Sequence, residues 1–133
     1  IEWVNPFFTA GHWVPEMIKI SGGVNMISKT GEHSQRMLMQ KITNVEPEII
    51  ILMPCGFDVK RTKTEYEKFL KNDQEWNKLQ AVKKGNVFAV DANSFFSKPS
   101  IRTIEGIEIL AKIIHPEIFS DLSVVEDSYM KLS

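Results

Sequence analysis

Residues 49–53 are five consecutive apolar residues, the longest uninterrupted hydrophobic run of the chain. A run of this length that follows Pro47 predicts a strand covered on both faces. Residues 87–90 are also apolar throughout, and they follow the turn-forming sequence at 84–86. Residues 1–4 have a strand-like pattern as well. The chain therefore carries three short predicted strands.

Between and after these strands, apolar residues recur at helical spacing. The pattern predicts four helices, over residues 13–21, 36–44, 62–72 and 101–115. Pro15 suits the first turn of the first helix, and the glycines at 22–23 follow its last turn. Thr62 and Glu65 have the spacing of a capping box, which places the start of the third helix at Thr62. Pro116 ends the fourth helix.

Alternating strands and helices are typical of the α/β class, in which right-handed crossovers join parallel strands. The sequence therefore predicts a small three-layer, Rossmann-like α/β lobe with a parallel sheet and helices on both faces. No repeat, linker or low-complexity tract divides the chain, so residues 1–133 are predicted to form a single lobe. Residues 120–133 lack a clear period, and we expect a loosely patterned tail or a short docking segment there.

The composition excludes several classes of function. With 43% hydrophobic and 25% charged residues, the chain suits a globular domain that buries a core. A net charge of −1 and a pI of about 6.4 give no general attraction to nucleic acid, so no nucleic-acid partner is expected. The single cysteine, Cys55, forms no internal disulfide. No apolar run approaches the roughly 20 residues of a membrane span.

Aromatic residues are concentrated in the three loops that follow the predicted strands, at 5–13, 54–58 and 91–99. The carboxyl ends of parallel strands meet at one edge of a sheet, where open α/β folds bind their ligands. Aromatic side chains at such an edge favour a large, flat ligand. The candidate ligand-contacting residues are Phe7, Phe8, Trp13, Phe57, Phe95, Phe96 and, for an anionic group of the ligand, Lys98. For any one phenylalanine the alternative is core packing at the end of the sheet.

Cysteine and histidine residues raise the question of catalysis at the same edge. Cys55 follows a predicted strand and would act as a nucleophile only with a base such as His12 or His33 within hydrogen-bond reach. The simpler interpretation is a small thiol packed at a strand end. The two histidines lack the spacing of a metal-binding motif, so no metal held by the protein is predicted.

Several short segments, in order along residues 1–119, together resemble a known family. They are similar to the carboxyl-terminal lobe of the substrate-binding proteins that serve ABC importers for cobalamin, haem and ferric siderophores. The segments are Glu2-Trp3, Pro6-Phe7-Phe8, Ala10 to Glu16, Gly22-Gly23, Pro47 to Ile50, Met53 to Asp58, Gly85-Asn86-Val87, Asp91-Ala92-Asn93, Phe96 to Pro99 and His115-Pro116.

The resemblance implies one lobe of a two-lobed protein, with the amino-terminal lobe and the linking helix absent from this chain. Such proteins hold their ligand in the cleft between the lobes, and no catalysis is expected of them. The implied half-site comprises Phe8, His12, Trp13, Phe57, Phe95, Phe96 and Lys98. Aromatic side chains cover the wide apolar face of a corrin or porphyrin. For His12 a hydrogen bond to the ligand or a purely structural role is favoured over ligation of the ligand's metal. The ligand is then a transported cobalt or iron chelate, and no resident cofactor is expected.

The resemblance also implies partners and a location. Such a lobe works outside the cytoplasm, in the periplasm or anchored to the membrane, and docks on the transmembrane subunits of an ABC permease. Relatives dock through a surface glutamate, but the matching position here is Gln40, which cannot form a charge-assisted pair with arginine. Glu46 or Glu48 is the alternative docking residue. Because a lone lobe exposes its cleft face, dimerisation through that face is expected.

Two other functions stay open at this point. One is a small α/β enzyme that uses Cys55 or His12 at the strand-end edge. The other is a self-contained cytoplasmic domain of flavodoxin-like form that senses a ligand. A measurable reaction that is lost in Cys55→Ala, with ligand binding intact, would favour the enzyme.

Overall fold

The apolar runs around residue 50 and residue 88 form two neighbouring parallel strands at the centre of the molecule, in a computed structural model that describes all 133 residues. The strands are β1 (Trp3–Val4), β2 (Phe7–Phe8), β3 (Arg36–Met37), β4 (Ile50–Leu52), β5 (Val87–Val90) and β6 (Tyr129–Lys131). The helices are α1 (Val14–Ile20), α2 (Met39–Val45), α3 (Val59–Phe69), α4 (Gln74–Lys78), α5 (Gln80–Lys83), α6 (Ala92–Phe95) and α7 (Thr103–Ile114).

The main sheet has the order β4-β5-β6. β4 and β5 are parallel, with Ile50 opposite Val87, as the alternation of strands and helices predicts. The first residue of the chain continues this sheet on the other side of β4, because the Ile1 amino group donates to the Ile51 carbonyl at 2.9 Å and the Met53 N–H donates to the Ile1 carbonyl at 2.8 Å. The predicted strand at residues 1–4 therefore lies parallel to β4 only at its beginning.

Of the two expectations for residues 120–133, a loose tail is wrong, and a short docking segment describes the end of the chain better. Residues 129–131 form β6, which pairs antiparallel with β5 and covers its outer edge. The Lys112 ammonium of α7 donates to the Leu122 carbonyl at 2.6 Å and holds the connecting segment. Three residues are too few to show a strand period, so the sequence pattern missed this strand.

A second, small antiparallel sheet of order β1-β2-β3 was not predicted. The chain reverses at Asn5–Pro6, so Trp3 lies opposite Phe8. Phe8 in turn lies opposite Arg36, in a segment that the sequence assigned to a helix. The helix there begins only at Met39, because residues 36–37 are drawn into the sheet by pairing with residues distant in the sequence.

Helix α3 begins earlier than the capping-box spacing indicated. Asp58 is its N-cap, and its carboxylate accepts a 2.8 Å hydrogen bond from the Arg61 N–H. Thr62, the predicted cap, is fully buried inside the helix, where its hydroxyl donates to the Asp58 carbonyl at 2.9 Å. The helix bears on the candidate site because it starts directly after the second aromatic loop.

Two apolar clusters lie on the two faces of the main sheet. Ile50 and Leu52 face the cluster under α3 and α4, which is built around the fully buried Trp76. Met53 and Val90 face the other cluster, under α1 and α7. The alternation of strand side chains thus places a helical layer on each side, and the predicted three-layer α/β lobe is confirmed.

Gly106 allows α7 to approach α1 and the third aromatic loop. A Cβ atom at this position would lie 2.8 Å from the Met17 methyl carbon and 3.1 Å from the Phe95 carbonyl oxygen. The close approach leaves no room beneath the loop, and it fixes the position of the loop against the core.

Candidate functional site

The three aromatic loops meet at the carboxyl edge of the parallel strands, as predicted. The Trp13 indole N–H of the first loop donates to the Phe96 carbonyl of the third at 3.1 Å. The Gly56 N–H of the second loop donates to the Ser97 hydroxyl of the third at 2.9 Å. The Asn93 N–H donates to the Phe57 carbonyl at 3.1 Å. These hydrogen bonds join all three loops into one surface.

Three of the predicted ligand-contacting aromatics are core residues and need correction. Phe57, Phe95 and Phe96 are only 5%, 1% and 3% exposed. Helix α6 turns the two adjacent phenylalanines inward against α7, and the Arg102 guanidinium lies 4.4 Å from the Phe95 ring centroid and covers it. These buried side chains support the loops at the strand-end edge. They are not accessible to a ligand in this structure. Lys98 is exposed beyond them.

The exposed aromatic surface is formed instead by the small antiparallel sheet. Trp3 and Phe8 lie directly opposite each other in β1 and β2, so their side chains share one face. Trp3 is 36% exposed, and its ring packs edge-on against Phe57 at a centroid distance of 5.1 Å. Phe7 alternates to the opposite face, where it stacks on the buried Trp76 at 5.9 Å. Phe7 is therefore a core contact, while Phe8 faces outward.

Arginine side chains flank this aromatic face on two sides, and the sequence pattern did not single them out. Arg36 is exposed and lies opposite Phe8 on the same face of the small sheet. The Arg61 guanidinium lies 3.7 Å from the centroid of the Phe57 ring. Arg61 sits in a lysine-rich segment that resembles a solvated helix surface, and only the cap at Asp58 places it beside the loops. We call Trp3, Phe8, Arg36 and Arg61 the aromatic-arginine face.

His12, in the first aromatic loop, has a left-handed backbone conformation, with φ of 57°. Its N–H donates to the Glu32 carbonyl at 2.7 Å, and its carbonyl accepts from the Gly31 N–H at 2.9 Å. The ring is half-buried between Trp13, at 5.5 Å, and the exposed His33, at 5.2 Å between centroids. Neither imidazole forms a hydrogen bond within the protein, so both can act on a ligand.

Gly11 makes the His12 backbone possible. A Cβ atom on Gly11 would collide with the Glu32 carbonyl, which is the acceptor of the His12 N–H. Ser34 adds a further tie across this junction, because its hydroxyl donates to the Thr9 carbonyl at 2.5 Å. The loop that carries His12 is thus fixed to the segment that carries His33.

The geometry gives no support to catalysis by Cys55. The residue is exposed, and no hydrogen bond joins its thiol to an imidazole. No group of three or more His, Cys, Asp or Glu side chains comes together in a way that could hold a metal ion.

The two predicted docking residues lie at opposite ends of α2. Gln40 is exposed, and its amide donates to the Asn44 side chain at 2.8 Å. Glu46 is exposed at the carboxyl end of the helix, with a left-handed φ of 45°. Neither residue belongs to the three aromatic loops.

The fold defines this chain as a lobe of the α/β class. A family model described as periplasmic binding protein matches residues 4–94, and the chain belongs to this family. None of the helices has the length and the apolar character that a membrane crossing requires.

Relatives with known names share only part of their length with this chain. The high-affinity haem uptake system protein IsdE of Staphylococcus aureus (strain MRSA252) is 25% identical over 83 residues, which are 62% of this chain and 28% of IsdE. The chain thus spans less than a third of the length of this relative. Proteins of this family are substrate-binding proteins, and the resemblance to this family is confirmed. The assignment to the carboxyl-terminal lobe stays a prediction.

Solved structures show the same fold. The TroA-like periplasmic binding protein FepB of Veillonella parvula matches with a TM-score of 0.66 and 19% identity, over 85% of this chain and 35% of its own length. The molybdate periplasmic binding protein MolA of Haemophilus influenzae matches with a TM-score of 0.70 and 22% identity, over 89% of this chain and 35% of its own. An ABC transporter substrate-binding protein of Listeria monocytogenes EGD-e matches with a TM-score of 0.65 and 24% identity, over 75% of this chain and 38% of its own length.

Proposed function

We propose that this chain is one lobe of an extracytoplasmic substrate-binding protein, which delivers a large metal chelate to an ABC importer. The observation that carries the proposal is the outward-facing Trp3–Phe8 pair of the small sheet. His12, in the first aromatic loop, supplies an imidazole that has no hydrogen-bond partner within the protein. The second lobe of the longer protein closes the site from the other side. Haem, a corrinoid and a ferric siderophore are the candidate ligands.

The aromatic-arginine face suits a ligand that is flat and has an anionic rim. Aromatic rings cover an apolar macrocycle at low cost in conformational entropy, and Trp3 is held in place by its contact with Phe57. Arg36 and Arg61 lie at the rim of the face, where they meet carboxylates of the ligand. Lys98, which is exposed in the third loop, supplies a third positive charge. The proposed ligand therefore carries several negative charges, as the propionates of haem do.

His12 is the proposed contact to the metal of the ligand. Its ring is half-buried and has no hydrogen-bond partner within the protein, so one ring nitrogen is free to coordinate a metal. A neutral imidazole is a good ligand for iron or cobalt. The sulfur of Cys55 is not needed for this role. His33, in edge contact with His12, orients the ring.

Docking on the permease is proposed for the surface around α2, where Glu46 supplies the charge that Gln40 lacks.

A lone lobe leaves the aromatic-arginine face open, so we also propose that the isolated chain dimerises through it at high concentration.

The experiment that tests the ligand proposal is an amide-shift NMR titration with ferric haem, cyanocobalamin and a ferric catecholate siderophore. The indole N–H signals provide site-specific probes, because Trp3 and Trp13 lie at the proposed site and Trp76 is fully buried on the other side of the sheet. Shifts or broadening at Trp3 and Trp13 without change at Trp76 would support the proposal and identify the ligand class.

A matched pair of variants makes the titration specific. Phe8→Ser removes a half-buried aromatic of the face, whereas Leu38→Ser removes an apolar side chain that is 71% exposed and does not belong to it. We expect weaker binding only in Phe8→Ser. Equal binding by both variants, or no shift at Trp3 and Trp13 with any of the three ligands, would contradict the proposal.

A further inference from the structure

Two of the three histidines of the chain, His12 and His33, lie in contact with each other. Their ring centroids are 5.2 Å apart, and the ring planes are inclined by 81°. Neither ring has a hydrogen-bond partner within the protein, whereas the third histidine, His115, is bonded to the Gly22 carbonyl at 2.9 Å. Two imidazoles with free nitrogens therefore share one place on the surface.

The separation of the two rings matches that of two imidazoles bound to one metal ion. A zinc–nitrogen bond is about 2.1 Å long, so the centroid of a coordinating imidazole lies roughly 3.2 Å from the ion. At the tetrahedral angle, two such rings have their centroids roughly 5 Å apart. The separation of His12 and His33 is 5.2 Å, so a nitrogen of each ring can reach a shared ion without movement of the backbone.

Backbone contacts on both sides of the pair hold the two histidines in place. The His12 N–H donates to the Glu32 carbonyl at 2.7 Å, and the Gly31 N–H donates to the His12 carbonyl at 2.9 Å. On the other side of the pair, the Gln35 N–H donates to the Thr9 hydroxyl at 3.0 Å. Because both segments are already fixed to each other, little conformational entropy is lost when an ion joins the two side chains.

The neighbouring carboxylates leave the rest of the coordination sphere to water. Glu32 accepts a bond from the Lys29 N–H at 3.0 Å, and Glu16 accepts one from the Thr30 hydroxyl at 3.4 Å. No third His, Cys, Asp or Glu completes a cluster with the pair. His33 is exposed, so water reaches the remaining positions. Two imidazole nitrogens and water suit a divalent ion of the late first transition series.

We propose that His12 and His33 together bind one divalent transition-metal ion, of the class of Zn²⁺ and Cu²⁺, with water in the other positions. The spacing of the two residues in the sequence matches no metal-binding motif, and only the fold brings them together. The inference goes beyond the proposed function, because both ligands belong to this chain and neither a chelate nor a second lobe is required. By the usual order of affinities, Cu²⁺ binds more tightly than Zn²⁺.

The test is an NMR titration of the 133-residue chain with zinc chloride that follows the ring C–H signals of the three histidines. We expect the signals of His12 and His33 to shift together and to saturate at one ion per chain. The signals of His115 should not change, because its ring is engaged with the Gly22 carbonyl. Paramagnetic Cu²⁺ should broaden the same two sets of signals first.

Three variants make the titration specific. His12→Asn removes the imidazole and keeps a residue that tolerates the left-handed φ of 57°. His33→Gln changes an exposed side chain, and His115→Gln is the matched control. By calorimetry, each of the first two should bind zinc about 100-fold more weakly than the parent, because a lone imidazole loses the advantage of chelation. His115→Gln should bind as the parent does. The amide spectrum of each variant without zinc verifies its fold.

An equal response of all three histidines, or unchanged zinc affinity in His12→Asn or His33→Gln, would overturn the proposal. Saturation at one ion per two chains would also overturn it, because the ion would then be shared between two copies. The readout involves no chelate. A chain that binds zinc at the pair but none of the three chelates would contradict the ligand proposal alone, and the opposite result would contradict the zinc site alone.

Discussion

The indole Nε1 of Trp13 donates a 3.1 Å hydrogen bond to the carbonyl oxygen of Phe96, which lies 83 residues further along the chain. The bond connects the first aromatic loop to the third, and the bond between Gly56 and Ser97 connects the second loop to the third in the same way. The surface that carries His12 is thus held by contacts between loops, and it does not depend on one loop alone.

Replacing Trp13 by phenylalanine should destabilise the lobe by about 1 kcal/mol, because the Phe96 carbonyl loses its donor while most of the ring contact remains. Urea denaturation measures the change. Trp3→Phe serves as the control, since Trp3 is 36% exposed and its indole makes no hydrogen bond, and it should change stability by less than about 0.5 kcal/mol. Equal losses in the two variants would refute the importance of the Trp13 bond.

Asp58→Ala should cost about 1 kcal/mol of stability, because the first turn of α3 loses the bond between the Asp58 carboxylate and the Arg61 N–H. Asp58→Asn keeps an acceptor at the N-cap and should stay close to the parent. Thermal unfolding of the parent, Asp58→Ala and Asp58→Asn measures these differences in stability. If Thr62 were the true cap, Asp58→Ala would have almost no effect.

Stability of the 133-residue chain should rise between pH 5 and pH 8. The buried Ile1 amino group has a pKa of about 5 in the folded protein against 8.0 when unperturbed, so the unfolded state binds more protons in this range. The contribution is complete above pH 8 and is lost as the pH falls towards 5. Each pKa unit corresponds to about 1.4 kcal/mol, which sets an upper limit of about 4 kcal/mol.

Urea unfolding at pH 5, 6.5 and 8 measures this slope, and acetylation of Ile1 provides the control. The acetylated chain has no titrating amino group, so its stability should depend less on pH over the same interval. A slope that acetylation does not alter would show that other groups cause the pH dependence.

Arg36→Gln and Arg61→Gln should each weaken haem binding by about tenfold at low salt, which corresponds to about 1.4 kcal/mol for a lost charge-assisted contact. The difference should shrink as added salt screens the charges. Lys63→Gln is the matched control, because Lys63 is exposed on the same helix as Arg61 and its nearest acid is Glu67 at 3.9 Å. Similar losses in all three variants would indicate only a general effect of net charge.

The elements with strong local patterns could be predicted from the sequence. The apolar run around Ile50, the strand at 87–90 and the long amphipathic helix α7 lie close to where their periods place them. The small antiparallel sheet and β6 could not be predicted, because strands of two or three residues are too short to show an alternation of apolar and polar positions. Their existence depends on pairing with distant residues, as between Phe8 and Arg36.

The position of the candidate site was predictable, but its composition was only partly so. Parallel strands place their loops at one edge, and this is where His12, Trp13 and Phe8 lie. Which aromatics face outward depends on packing that the sequence does not reveal. Phe95 and Phe96 are turned into the core by a helix of four residues, and Arg61 reaches the Phe57 ring only because α3 begins at Asp58.

The ties between the three loops also bear on the rates of binding. A surface that is already ordered needs no rearrangement before it meets a ligand, so little conformational entropy is lost on contact. Association rate constants are then expected to vary little among chelates of similar size and charge. Selectivity for one chelate over another would then depend on the dissociation rate. The transported ligand would differ from a competing chelate mainly by its longer residence time.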